Sequence, residues 1–126
     1  MATKRVFVAF AIEDVVQKRL FTGQAKNARV PYEFTDMSVK EPWDENWKAN
    51  CRARIKGCNG VIALISKNLK NASGALWEIK CAKEEGKPVL GIYIDGATSL
   101  DVPADLWSAK KVEWTWPSIE AFIFSL

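Results

Sequence analysis

The 126-residue chain contains no histidine. That absence removes every nucleophilic triad or dyad built on an imidazole base, and nearly all zinc catalysis. Cysteine is scarce as well. Cys51, Cys58 and Cys81 are an odd number without metal-type spacing. They read as reduced, buried thiols, and they place the protein in the cytoplasm rather than in an oxidising compartment. No apolar run approaches the roughly 20 residues of a membrane span, so no membrane association is expected. Basic and acidic residues number 18 and 15, for a net charge of +3, and no dense Lys/Arg block exists. A nucleic-acid footprint would need a concentrated basic stripe, so nucleic acid is not an expected partner. The opening MATKRVFVAF enters a strand pattern almost at once and does not read as a signal peptide. Neither a GxGxxG nor a P-loop occurs. Chemistry is left to carboxylates, hydroxyls, amides, lysines and backbone dipoles, with no metal and no cofactor expected.

What is present suits one globular domain over residues 1–126. The length is enough to bury a real core, and an apolar share of 48% against 26% charged is ordinary for such a domain. Arg5–Phe10 is a continuous apolar run, as in a central parallel strand. A helix is predicted over Ile12–Lys26, with Glu13 and Asp14 in its dipole-favoured first turn and Val16, Leu20 and Val15 on its buried face. Val30–Thr35 is a second strand, with Pro31 at its start. After the loop Asp36–Glu41, Pro42 suits the first position of a helix, and Trp43, Trp47, Cys51 and Ile55 recur every four residues as its apolar stripe. Val61–Ile65 is a third strand. Ser73 is the expected N-cap of a helix running to about Glu85, stopped by Gly86 and Pro88. Val89–Ile94 and Lys111–Thr115 are further strands, with one short turn near Ala104–Trp107 between them. Pro117 opens a last helix carrying Ile119, Phe122, Ile123 and Leu126. This strict alternation predicts an α/β fold in three layers: a five-stranded parallel sheet of flavodoxin-like order 2-1-3-4-5, with helices on both faces.

Fold alone does not decide function. A phosphoacceptor receiver domain needs an acceptor aspartate at the end of the third strand, where Ser66 stands. FMN binding needs a Ser/Thr-rich phosphate loop after the first strand, and AFAIED is not one. The segment Gly60–Asp95 reads strand, loop, helix, strand, with Glu78 early in the helix near the end of the preceding strand. Ligands of parallel α/β sheets bind at that end. One reaction suits a lone carboxylate: cleavage of the nicotinamide–ribose bond of NAD. The leaving group starts as a pyridinium cation and departs neutral, so no general acid is required. The oxocarbenium-like transition state is stabilised by a nearby carboxylate. The plainer alternative is a solvated glutamate favoured by the helix dipole.

KRVFVAF at the start, the Asp36-Met37-Ser38 turn, Trp47 and Ile55 ahead of GVIALIS, SGALWEI from Ser73 to Ile79 and GKPVLGIYID from Gly86 to Asp95 occur in a characteristic order. In these features the chain resembles TIR-like domains, most closely the bacterial subgroup typified by the TIR-like protein of Thoeris antiphage defence. The resemblance spans roughly residues 4–115. It implies a TIR-class fold and an enzyme that consumes NAD as substrate, with the catalytic glutamate at Glu78. In that subgroup the product is a cyclic ADP-ribose isomer, a diffusible messenger that activates a separate effector protein after phage infection. Phe10, Ala11, Asp36, Ser38, Ser66 and Asn68 are the positions that would line the pocket. Trp77 matches a tryptophan common in the subgroup. About one turn before the acid, Gly74-Ala75 stand where such motifs usually carry a tryptophan.

Each of these residues also has a structural reading. Asp36 and Ser38 can contact ribose or cap the turn before Pro42, and Ser66 can bind substrate or cap its own loop. Trp43 and Trp47 fit a packed stripe, although Trp43 can reach the pocket mouth. Lys67 and Lys70 flank the expected pocket and can attract a pyrophosphate. A homo-oligomer is compatible with the family. Two other functions stay open: a non-catalytic TIR-like interaction module, and a flavodoxin-like domain binding another nucleotide.

Overall fold

The computed structural model describes residues 3–25, 32–37 and 39–126. Five strands, β1 (Lys4–Ala9), β2 (Tyr32–Thr35), β3 (Gly60–Ile65), β4 (Val89–Tyr93) and β5 (Lys110–Glu113), form one parallel sheet of order β2-β1-β3-β4-β5. The helices are α1 (Val15–Ala25), α2 (Glu45–Lys56), α3 (Ser73–Glu84) and α4 (Trp116–Phe124). This is the flavodoxin-like arrangement that the alternation predicts.

Strand alternation divides the core in two. Phe7 and Ala9 of β1 and Val61, Ala63 and Ile65 of β3 point to the face covered by Trp47, Cys51 and Ile55 of α2 and by Ala75, Ile79 and Ala82 of α3. Val6, Val8, Ile62, Leu64, Leu90 and Ile92 point to the other face, under Phe21 of α1 and Ile119 and Ile123 of α4. All six residues of β3 are buried, as a strand covered on both faces requires. The three cysteines are free and buried, as expected, and burial pushes each thiol above its usual range.

Several local expectations fail for identifiable reasons. A 3-10 turn, Ile12–Asp14, precedes α1. Asp14 and Phe21 of this segment are buried, whereas Val16 and Leu20 are exposed. The inward stripe of α1 therefore carries polar residues, and an apolar pattern selects the wrong face. Val15 does pack against the core. Pro42 lies in a turn, and α2 starts at Glu45 with Asp44 as N-cap, its carboxylate accepting from the backbone N–H groups of Asn46 and Trp47. Trp43 precedes that cap, outside the helix, and is 74% exposed, so the buried stripe is Trp47, Cys51 and Ile55 alone. Ser73 is the first helical residue of α3 rather than its cap, and Ala72 holds the cap position without a side-chain hydrogen bond. β5 begins one residue early and ends at Glu113. The predicted start of the second strand at Val30-Pro31 and the predicted helix end at Lys26 lie outside the described residues. Among the described residues no helix is long and apolar enough to cross a membrane.

Candidate functional site

β1 leads to α1 on one face of the sheet, and β3 leads to α3 on the other. The chain therefore diverges between the carboxyl ends of these adjacent strands, the topological switch point where open α/β sheets bind ligands. Phe10 and Ala11 continue from β1 and are fully buried. The backbone N–H of Asp14 closes the turn by donating to the Ala11 carbonyl at 2.8 Å. This aims the Asp14 carboxylate at the end of β3. There it accepts a hydrogen bond from the Ser66 hydroxyl, and one from the Asn68 amide at 2.9 Å. The Ser66 Oγ in turn accepts the backbone N–H of Asn68 at 3.1 Å. Asp14 and Ser66 are both buried, so these bonds form in a low-dielectric setting where they count for more than in water. The turn after β1 is thereby tied to the loop after β3.

Glu78 lies on the buried face of α3 with Ala75, Ile79 and Ala82. Its side chain has 0% exposure. Both carboxylate oxygens accept from Lys40 Nζ, at 3.0 and 2.8 Å. The Lys40 side chain is 8% exposed, so the pair is almost wholly removed from water. The same ammonium lies over the Phe10 ring, 4.1 Å from its centroid. A second lysine, Lys18 of α1, lies 5.2 Å from that centroid and pairs with Asp36 at 3.2 Å. Phe10 is thus flanked by two lysine–carboxylate pairs. The Glu78 carboxyl is raised to about 8 on balance, with burial the largest cause. Lys40 pulls it down, and the nearby Asp36 charge pushes it further up.

Lys40 is positioned by the loop between β2 and α2. Met37 is buried. The Asp36 carbonyl accepts from the Arg54 guanidinium at 2.5 Å, and the Val39 carbonyl accepts from the Trp47 indole N–H at 2.6 Å. Trp47 is itself fixed in the core, so the residue next to Lys40 is anchored to α2.

The structure therefore brings together Phe10, Ala11, Ser66 and Asn68 around Asp14, and links Glu78 and Asp36 through the two lysines at Phe10. Trp77 points elsewhere. It meets Trp47 edge-on at 5.5 Å, with the Arg52 guanidinium 5.5 Å from its ring, and so packs against α2. Trp43 projects from the turn before α2. Lys67 and Lys70 are exposed, and Lys70 borders a separate surface hollow with Trp107 and Pro103. Ser38 lies outside the described residues. Lys40, Asp14 and Lys18 have no counterpart among the sequence candidates. Asp14 could have been suspected as the second member of an acidic pair just after a central strand. Nothing in the local sequence joins Lys40 to an acid 38 residues on.

The fold has known relatives. A prokaryotic SEFIR domain superposes with TM-score 0.54 at 12% identity, over 94% of this chain and 86% of that one. The CMP N-glycosidase BcmB of Clostridium botulinum superposes with TM-score 0.51 at 19% identity, over 97% of each chain. The TIR domains of the activated Roq1 resistosome superpose with TM-score 0.51 at 17% identity, over 75% of this chain, which spans only 60% of that one. No curated protein matches the sequence. The family model of the TIR-like domain of the Thoeris protein ThsB matches residues 7–99. That match runs from the second half of β1 through β4 and takes in every residue of the site just described, and the chain belongs to the family of Thoeris ThsB TIR-like domains.

Proposed function

We propose that this protein is an NAD-consuming enzyme in which the Glu78 carboxylate stabilises the ribosyl cation formed as the nicotinamide–ribose bond breaks. The bond breaks heterolytically. Its electron pair stays on the ring nitrogen, nicotinamide leaves neutral, and the positive charge develops on the ribose. A carboxylate in a water-poor site opposes that charge more strongly than one in solvent. Water capturing the cation gives ADP-ribose and a proton. An adenine nitrogen of the same molecule capturing it gives a cyclic ADP-ribose isomer. The cyclic product is the proposed outcome, a messenger to a separate effector in antiphage defence. Asp36, Ser66 and Asn68 are the proposed ribose-side contacts, with the Phe10 ring as an apolar wall.

The observation that carries this reading is a carboxylate with no exposed surface, at the switch point of the sheet, already holding a cation. A docking module would present its acids on the surface, exposed or in surface salt bridges. One fold neighbour is by its name an N-glycosidase, so the fold accommodates that class of bond cleavage. The test is incubation of the purified protein with NAD, reading free nicotinamide and product mass, beside the Glu78→Gln variant. Release by the wild type and loss of at least a hundredfold in the variant are expected. Equal release from both proteins overturns the assignment.

A further inference from the structure

Lys40 is the one cation that the Glu78 carboxylate holds among the described residues, and its surroundings have the chemistry of a receptor for positive charge. The ammonium has a carboxylate oxygen on each branch at 2.8 and 3.0 Å and an aromatic face 4.1 Å away. An aromatic face within about 6 Å of a cation attracts it, most strongly where water is excluded. The lysine stem passes close against the first turn of α3. Gly74 of α3 borders its stem, and a Cβ there would stand 2.8 Å from Lys40 Cβ. Apart from Lys40, the charge that acts on the Glu78 carboxylate is that of Asp36, which is negative. If the lysine left with nothing replacing it, a buried carboxylate would stand unpaired, which is strongly unfavourable. Exchange of one cation for another avoids that penalty.

We propose that Phe10 and Glu78 form a seat for a single positive charge, that Lys40 fills this seat in the free protein, and that a pyridinium-type ligand enters by displacing the lysine. This rests on the reading of Glu78 as the acid that meets the substrate, and adds how the substrate is admitted: by its charge. A four-carbon stem lets the ammonium withdraw by changing rotamer, with the loop backbone held by Trp47 and Arg54. A neutral ligand of the same shape gains nothing from the exchange, so the seat selects the cationic form of a nicotinamide.

The probe is 1-methylnicotinamide, a permanent cation that cannot be cleaved at a ribose, with neutral nicotinamide as control. Calorimetry from pH 7 to pH 10 compares the wild type with Lys40→Met and Lys40→Arg. Lys40→Met has lost the cation that pulls the Glu78 carboxyl down, so its affinity for the cation is expected to rise at least tenfold across this range as that carboxyl ionises, more than in the wild type or Lys40→Arg, with nicotinamide affinity unchanged. No gain, or an equal gain for the neutral ring, overturns the proposal. A second measurement needs no variant. In the ¹⁵N spectrum of lysine-labelled wild type, saturating 1-methylnicotinamide is expected to move the Lys40 ammonium signal to the solvent-exposed position, and nicotinamide is expected to leave it in place. An unmoved Lys40 signal under saturating cation also overturns the proposal. Nicotinamide release from NAD separates the two readings. A cation gain without release removes the NAD assignment alone, and release without a cation gain removes the seat alone.

Discussion

Gly74 and Lys40 share a space that only one of them can fill. A Cβ built on Gly74 would lie 2.8 Å from Lys40 Cβ and 3.4 Å from its Cγ and Cδ. The resemblance to TIR-like motifs leads one to expect a tryptophan about one turn before the acid, and Gly74-Ala75 stand there. The structure gives that substitution a physical consequence. With no side chain at position 74, the lysine stem lies along the first turn of α3 and its ammonium reaches Glu78. The missing aromatic ring and the buried lysine are one feature seen from two elements.

Gly74→Ala is therefore expected to be destabilising, although alanine is the better helix former by about 1 kcal/mol in a helix interior. The nearest neighbour is the root of the lysine side chain, which cannot move without its backbone. Overpacking of this kind costs typically about 1–3 kcal/mol. Near the helix end, where the propensity gain is small, a net loss of about 1–2 kcal/mol is expected in urea unfolding. An unfolding midpoint equal to or above that of the wild type would show that the Lys40 segment yields freely.

The architecture was legible because apolar runs and breakers mark it plainly. Arg5–Phe10, Val61–Ile65 and Val89–Ile94 announce buried parallel strands, and Gly86-Pro88 ends α3 close to where expected. Glu78 was legible as an acid near a strand end. Its partner was not, because Lys40 reaches it from a loop between other elements, and long-range ion pairs leave no periodic trace. Asp14 was hidden differently. In sequence it is an ordinary first-turn acid, and only the 3-10 turn before α1 rotates it inward. The same rotation exposes Val16 and Leu20, so the error on the apolar face and the missed polar residue have one cause.

Asp14 ties the two strand ends that define the crevice. It accepts from the Ser66 hydroxyl and from the Asn68 amide at 2.9 Å. Hydrogen bonds to a charged group contribute about 1.5–3 kcal/mol each, and buried partners left unpaired add to the loss. Asp14→Ala is expected to lower stability by about 3 kcal/mol in urea unfolding, and Asp14→Asn, which keeps one acceptor oxygen, by less. A loss under about 1 kcal/mol for alanine would mean that Ser66 and Asn68 find other partners readily. Among the described residues Asp14 bonds to Ser66 and Asn68 and not to Glu78 or Lys40, so the effect of Asp14→Asn on the Lys40 ammonium signal is expected to be small.

The raised Glu78 carboxyl couples stability to pH with a definite sign. In the unfolded chain this acid titrates near 4.5, and in the fold burial carries it to about 8 against the pull of Lys40. Between those values the folded state holds a proton that the unfolded state has lost. Stability linked to this group is therefore complete below about pH 4.5 and falls as pH rises through 8. Glu78→Gln cannot titrate, so its melting temperature between pH 5 and 9 is expected to fall less steeply than that of the wild type. Activity runs the other way. The proposed chemistry needs the ionised carboxylate, so nicotinamide release by the wild type should climb over the same window and level off above about pH 8. Thermal unfolding and nicotinamide release, measured in the same buffers, test both slopes together. Parallel melting curves for wild type and Glu78→Gln would show that Lys40 holds the acid ionised throughout, and the activity rise should then vanish with the stability slope.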